Sequence, residues 1–250
     1  MRIGVFDSGV GGLSVLKSLY EARIFYEIIY YGDSARVPYG VKSKETIIKF
    51  CLEALEFFKK LNIDMLIIAC NTASAYALDI LQKNAPFKVY GVIDAGIEAT
   101  KKALIDKNKN ILVIATKATI NSKEYEKKLK NEGFNNINSL ATGLFVPIVE
   151  EGIYDDNVLK SVFDFYFKDI KNVDALILAC THFPLLSKNL QDYFGKNTIL
   201  IHSGEAIVEF LKKNINLKKL PFDTKLSFYA SSDVDNLKNT AKKWLNLEKI

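Results

Sequence analysis

Cysteine and histidine are scarce in this chain, and that scarcity argues against two classes of site. Three cysteines in 250 residues do not make a disulfide framework. Two histidines leave too little imidazole for a dense histidine–metal centre, so no metal is expected. Long apolar runs are missing too. The longest, such as Met65–Cys70, have the length of a strand and fall short of the ~20 residues that a bilayer demands, so no membrane role is expected. The opening residues Met1-Arg-Ile-Gly-Val-Phe-Asp7 enter a strand pattern directly, without the hydrophobic region of a signal peptide, and the expectation is a cytoplasmic protein. Charge of one sign is not concentrated either: 34 basic residues face 29 acidic ones. Pairs such as Lys127-Lys128 and Lys242-Lys243 fall beside acids or on helix faces, not in the basic stripe that nucleic acid requires. No low-complexity linker interrupts the chain, which predicts closely apposed lobes.

What is present is an alternation of strand and helix, the mark of a parallel α/β fold. Residues 2–7 read as a strand, followed by the glycine-rich Asp7-Ser-Gly9-Val-Gly11-Gly12 and a helix to about Ala22. A strand over Glu27–Tyr31 leads through Gly32–Gly40 to a helix capped by Ser43. On that helix Ile47, Ile48, Cys51, Leu52, Leu55 and Phe58 share one face, which predicts Cys51 in the core. Then come an apolar strand ending at Cys70, a helix near 73–83 and a strand near 88–92. A second series begins at Asn110, with strands over Ile111–Ala115 and near 137–140, a polar helix from about Ser122, a helix near 156–167 and a strand ending at Cys180. A strand near 225–229 and a helix near 233–246 close the chain. The predicted fold is two similar parallel-sheet α/β lobes related by pseudo-twofold duplication, with the active site between them. Lobe A takes 1–93 plus 208–250, and lobe B takes 94–207.

Duplication is read from two stretches, Asp64-Met-Leu-Ile-Ile-Ala-Cys70 and Asp174-Ala-Leu-Ile-Leu-Ala-Cys180, which agree at five of seven positions. Cys70 and Cys180 lie 110 apart (180 − 70), while Ile3 and Ile111 lie 108 apart (111 − 3). Two pairs at nearly one offset indicate a repeated half-domain. In a parallel sheet the carboxyl ends of strands meet the ligand, so each half presents one thiol to a shared cleft. A lone cysteine there could be a small buried hydrophobe; a repeated one points to a two-base reaction. A thiol with an ordinary pKa of about 8.5 needs donors, a cation or a helix N-terminus to act as thiolate, and a helix is predicted after each cysteine.

Other candidates surround the pair. Asp7 caps its turn or serves as a general acid/base. His182, two residues past Cys180, can hold a thiolate as an ion pair or relay its proton. The glycine loop lacks both the dinucleotide fingerprint, with Ser14 where Gly or Ala belongs, and a Walker lysine, so no nucleotide cofactor is expected. Ser8, Asn71, Thr72, Thr116, Thr119 and Thr181 add neutral hydrogen-bonding groups, which suit a small zwitterion with two carboxylates better than a polyphosphate. Glu150 alone is an unremarkable surface acid.

The segments Gly4–Leu16, Tyr31-Gly-Asp-Ser-Ala-Arg-Val-Pro-Tyr-Gly40, Ala69-Cys-Asn-Thr-Ala-Ser74 and Ala179-Cys-Thr-His-Phe-Pro-Leu185, in this order, resemble the bacterial glutamate racemases of the cofactor-independent aspartate/glutamate racemase superfamily. The resemblance implies interconversion of L- and D-glutamate for peptidoglycan synthesis, without a cofactor. It implies Cys70 and Cys180 as the paired acid/base thiols, Asp7 and His182 as the groups that tune them, and Glu150 as a helper. It implies a substrate held by Asp7-Ser8, Tyr39-Gly40, Asn71-Thr72, Thr116, Thr119 and Thr181-His182, and a homodimer. No N-terminal extension of the kind found in some family members is expected. Lys117, inside the Thr116–Thr119 loop, faces either solvent or the site. Three rival readings stay open: racemisation of aspartate or another amino acid, a cysteine hydrolase with Cys180 as nucleophile and His182 as base, and a two-lobed amino-acid binding protein.

Overall fold

Two all-parallel sheets organise the computed structural model, which describes residues 1–215 and 217–245. The first half runs β1 (Arg2–Asp7), α1 (Leu13–Glu21), β2 (Glu27–Gly32), α2 (Lys44–Lys59), β3 (Met65–Ile68), α3 (Asn71–Asn84), β4 (Lys88–Gly91) and α4 (Val92–Ala103). The second runs β5 (Ile111–Ala115), α5 (Lys117–Ser122), α6 (Glu124–Asn131), β6 (Ile137–Ala141), α7 (Phe145–Glu150), α8 (Asp156–Phe167), β7 (Ala175–Ala179), α9 (Ser187–Phe194), β8 (Ile199–His202) and α10 (Ser203–Asn214). β9 (Lys225–Ala230) and α11 (Val234–Leu245) follow.

The sheet orders are β4-β3-β1-β2-β9 and β6-β5-β7-β8. Read from its other edge, the second is β8-β7-β5-β6, so β1, β2, β3 and β4 correspond to β5, β6, β7 and β8. Register agrees as well. Ile3 pairs with Met65 in the first sheet, and Ile111 pairs with Ala175 in the second, the positions that the sequence offsets equate. β9 has no counterpart; it adds to the edge at β2.

Helices cover both faces of each sheet, which is why the central strands are apolar throughout. β3 and β7 are buried at every residue. α2 shows how one helix is set: Ser43 Oγ accepts the Thr46 N–H, Glu45 occupies the first turn and Lys59 the last, and Ile47, Cys51, Ala54, Leu55 and Phe58 turn inward. Each end thereby satisfies backbone groups and complements the dipole. Cys51 is core, as its spacing predicts. α10 supplies Ala206, Ile207, Val208 and Leu211 to the core beside β1 and α1, so the expected boundary at 207/208 falls inside a packed helix.

Several elements differ from expectation. The polar helix expected from Ser122 is two helices, α5 and α6, separated by Lys123 with φ 58°. α4, α7, α9, β8 and α10 were not anticipated. In the aromatic run Phe163–Phe167, Phe163 and Phe167 pack with Phe145 in the core, while Phe165 is 71% exposed. The last residue of the helix expected near 233–246 lies outside the described residues. Among those residues no helix is long and apolar enough to cross a membrane.

Candidate active site

Strand ends from both sheets meet in one cleft. β1 ends at Asp7, whose carboxylate accepts the Gly9 N–H at 3.0 Å and, from the opposite lobe, the Thr181 hydroxyl at 3.3 Å. Asp7 is fully buried, and burial raises its pKa above the ordinary 3.8 against the opposing charge of His182 and the N–H groups of Gly9 and Gly12. Past β3, Cys70 caps α3: its sulfur accepts the Ala73 N–H at 3.5 Å and its thiol donates to Ser8 Oγ at 3.6 Å. Burial, reinforced by the charge on Asp7, pushes this thiol up to about 12. That environment favours the protonated thiol at Cys70.

In the second sheet Thr116 follows β5 and caps α5, accepting the Thr119 N–H. The hydroxyls of Thr72, Thr116 and Thr119 form a triangle with sides of 2.9, 2.9 and 3.0 Å. Past β7 stand Cys180, Thr181 and His182. His182 Nδ1 lies 3.8 Å from the Cys180 sulfur, and Nε2 lies 2.9 Å from Glu150 Oε1 at the end of α7. Burial works against the imidazolium, but the hydrogen bonds to Cys180 and Glu150 outweigh it and lift His182 to about 10. A cation beside the sulfur favours thiolate.

Both cysteines open on one small pocket lined also by Ser8, Tyr39, Gly40, Asn71, Thr72, Thr116, Glu150, Thr181 and His182. Asp7 and Thr119 stand behind that lining, bonded to it. The pocket measures about 30 Å³, room for a water or two and far too little for an amino acid, so ligand entry requires the walls to part. Glycine in the first loop serves close approach. A Cβ at Gly11 would stand 2.4 Å from His182 Nδ1, and one at Gly40 would stand 2.5 Å from Thr116 Cβ. Of the glycines that invite a phosphate-loop reading, Gly11 lets the lobes meet, and Gly40 does the same from the second loop. Among the described residues no cluster of His, Cys, Asp and Glu is arranged to hold a metal.

The Asp/Glu/Hydantoin racemase family model matches residues 11–211. The chain belongs to that family. It is 72% identical over 247 residues to the glutamate racemase of Campylobacter jejuni subsp. jejuni, covering 99% of each chain. A solved glutamate racemase structure from Campylobacter jejuni subsp. jejuni superposes with a TM-score of 0.98 at 71% identity, covering 100% of both chains. The Francisella tularensis subsp. tularensis glutamate racemase, solved in complex with D-glutamate, gives 0.86 at 35% identity, covering 100% of this chain and 95% of that one.

With the family known, the site departs from the sequence reading at the second thiol, refines it at Tyr39 and decides between the two settings left open for Lys117. The helix dipole does not serve both thiols, because Cys180 precedes only a short 3₁₀ turn, Phe183–Leu186; His182 supplies the positive charge instead. Tyr39 lines the pocket, but its hydroxyl is committed to buried Asp33. Lys117 is exposed. Sequence reasoning missed Val37, Pro38 and Val146, which line the pocket, and Ser14, whose hydroxyl donates to the Thr181 carbonyl at 2.6 Å. In the sequence Ser14 stands out as a misfit to the dinucleotide fingerprint and falls within the Gly4–Leu16 segment, and neither signal marks it as a bond between the lobes.

Proposed function

We propose that this chain interconverts L- and D-glutamate by passing the α-proton between Cys70 and Cys180, with no cofactor in the route. The carrying observation is that the two sulfurs, delivered by equivalent strands of the two sheets, open on one pocket. One thiolate removes the α-hydrogen and becomes a thiol. The electron pair left on carbon spreads into the carboxylate, and the opposite thiol protonates the other face, becoming the thiolate. In the arrangement described, Cys180 beside His182 is poised as base and Cys70 as acid; after one turnover the roles are exchanged. Charge builds on the substrate carboxylate in the transition state, where the Ser8, Asn71, Thr72, Thr116 and Thr181 groups can donate. In other enzymes such donors are worth ~3–4 kcal/mol each. Parting of the lobes admits substrate, and closure excludes water and aligns the sulfurs.

Glutamate is preferred to aspartate because the relatives at 72% and 35% identity are named for it. The D-glutamate made would supply peptidoglycan synthesis in the cytoplasm, from a homodimer acting on a small molecule without nucleic acid. Cys180, His182 and Glu150 also stand in the order nucleophile, base and orienter, which favours a hydrolase as second reading. It leaves Cys70 idle and predicts an acyl-enzyme visible by mass spectrometry. Circular dichroism of D-glutamate with purified protein and no added cofactor tests the proposal. Decay of the signal to zero is expected, and a constant signal would overturn it.

A further inference from the structure

Asn71 stands between Cys70 and Thr72 on the pocket wall, and both ends of its side-chain amide are held by residues from the second half of the chain. Tyr125 on α6 donates its hydroxyl to Asn71 Oδ1 at 2.7 Å. Asn71 Nδ2 donates to the Oγ of Ser203, the first residue of α10, at 3.2 Å. Ser203 Oγ in turn donates to the Leu178 carbonyl, two residues before Cys180, at 3.4 Å. Asn71, Tyr125 and Ser203 are 2%, 3% and 3% exposed, and neither Tyr125 nor Ser203 lines the pocket. α4 leaves room for the phenol: a Cβ at Gly96 would already stand 3.3 Å from the Tyr125 hydroxyl.

We propose that Tyr125 and Ser203 are positioning residues that fix the Asn71 amide in one orientation, keeping an N–H of Nδ2 for a carboxylate of the substrate. An amide can be turned over with little change of shape, so its partners decide which end is which. Ser203 has a single hydrogen, committed to Leu178, and can only accept from Asn71. Nitrogen therefore faces Ser203 and oxygen faces Tyr125, which must donate. Burial pushes the Tyr125 phenol further above its ordinary pKa, so this donor persists across the working pH range. In this orientation one of the two Nδ2 hydrogens stays uncommitted. Turned over, the amide would forfeit the Ser203–Leu178 bond, because Ser203 would have to donate to the amide oxygen instead, and the phenol would switch from donor to acceptor. A carboxylate ligand would then lose its donor. The inference deepens the glutamate reading of the pocket and rests on it.

A double-mutant cycle tests it, with kcat, KM and the calorimetric Kd for D-glutamate measured on the unmodified chain, Tyr125→Phe, Asn71→Ala and the double variant. Tyr125→Phe leaves a buried acceptor unpaired and is expected to lower kcat/KM about tenfold, chiefly through KM, with Kd weakened in step. In the Asn71→Ala background the same change is expected to cost less than about twofold, because the group it acts through is gone. Equal losses in both backgrounds, or an unchanged kcat/KM in Tyr125→Phe, would overturn the inference. Should Asn71→Ala turn over too slowly to measure, the four Kd values decide by the same comparison. Should Tyr125→Phe fail to fold, Ser203→Ala takes its place in the cycle. An unmodified chain that neither binds nor turns over glutamate would fell the glutamate reading as well, whereas turnover that Tyr125→Phe leaves intact fells this inference alone.

Discussion

The two thiols reach the cleft on the same backbone and find opposite company there. Cys70 caps an α-helix, donates to Ser8 and sits beside the buried Asp7 carboxylate, with its pKa pushed up to about 12. Cys180 has no α-helix starting at it and faces an imidazole that Glu150 backs from the far side. The duplicated strands fix where the sulfurs stand, and the unduplicated polar neighbours give each a different setting: a carboxylate and a hydroxyl at Cys70, an imidazole at Cys180. A reaction that takes a proton from one face of a carbon and returns one to the other needs that inequality before each turnover and tolerates its reversal afterwards.

The comparison is broken most severely by removing either sulfur. Cys70→Ser and Cys180→Ser should each lower racemisation about 10²–10⁴-fold, the range that positioned acid–base groups supply. The melting temperature should move little, since serine keeps the space and, at 70, the helix cap. If either variant retains near-normal turnover, the two sulfurs are not partners.

Replacing the cation beside one thiol sharpens the contrast. His182 is lifted from 6.5 to about 10, so it carries its charge throughout the neutral range. His182→Asn removes that charge, and with it the cation that stands beside the Cys180 sulfur. The acid limb of the kcat profile should move up, with activity at pH 7 down about tenfold or more. Because enantiomers are equal in energy, kcat/KM must stay equal in the two directions; the asymmetry shows instead as an α-deuterium isotope effect that grows for one enantiomer only. Growth for both would mean that His182 serves both thiols alike.

The smallest effect concerns stability at Asp7. Its pKa in the folded chain is raised above 3.8. The sign is therefore the reverse of the usual carboxylate: folding is most favoured below the unfolded pKa, and stability is lost as pH climbs through the higher folded value. Asp7→Asn abolishes that loss. The variant should melt at a higher temperature at pH 7, by about 2–4 °C for each kcal/mol recovered, with the gap closing near pH 3. A variant less stable than the unmodified chain at pH 7 would mean that the charged form is well solvated by the Gly9 and Thr181 contacts.

Much of this was legible before any coordinates. Strands such as β3 and β7 are unbroken apolar runs because both faces are covered, and their repeat exposed the cysteine pair. The apolar face of α2 placed Cys51 correctly. What escaped has identifiable causes. α4 begins at Val92, immediately after β4 ends at Gly91, and α10 begins at Ser203, immediately after β8 ends at His202; with no turn between them, the local pattern carries no boundary. The bond between Tyr125 and Asn71 spans 54 residues and two lobes, and nothing in the spacing of either residue announces it. Glu150 looks like a surface acid because it is one on one side; its other side holds His182.

The most direct test is isotope wash-in. L-glutamate is incubated with the enzyme in heavy water and both enantiomer pools are sampled while conversion is still small. Two separate acid–base groups predict deuterium at the α-carbon of the D-glutamate formed, with the remaining L-glutamate unlabelled. Equal labelling of both pools from the first time points would mean that one group serves both faces, and would contradict the account.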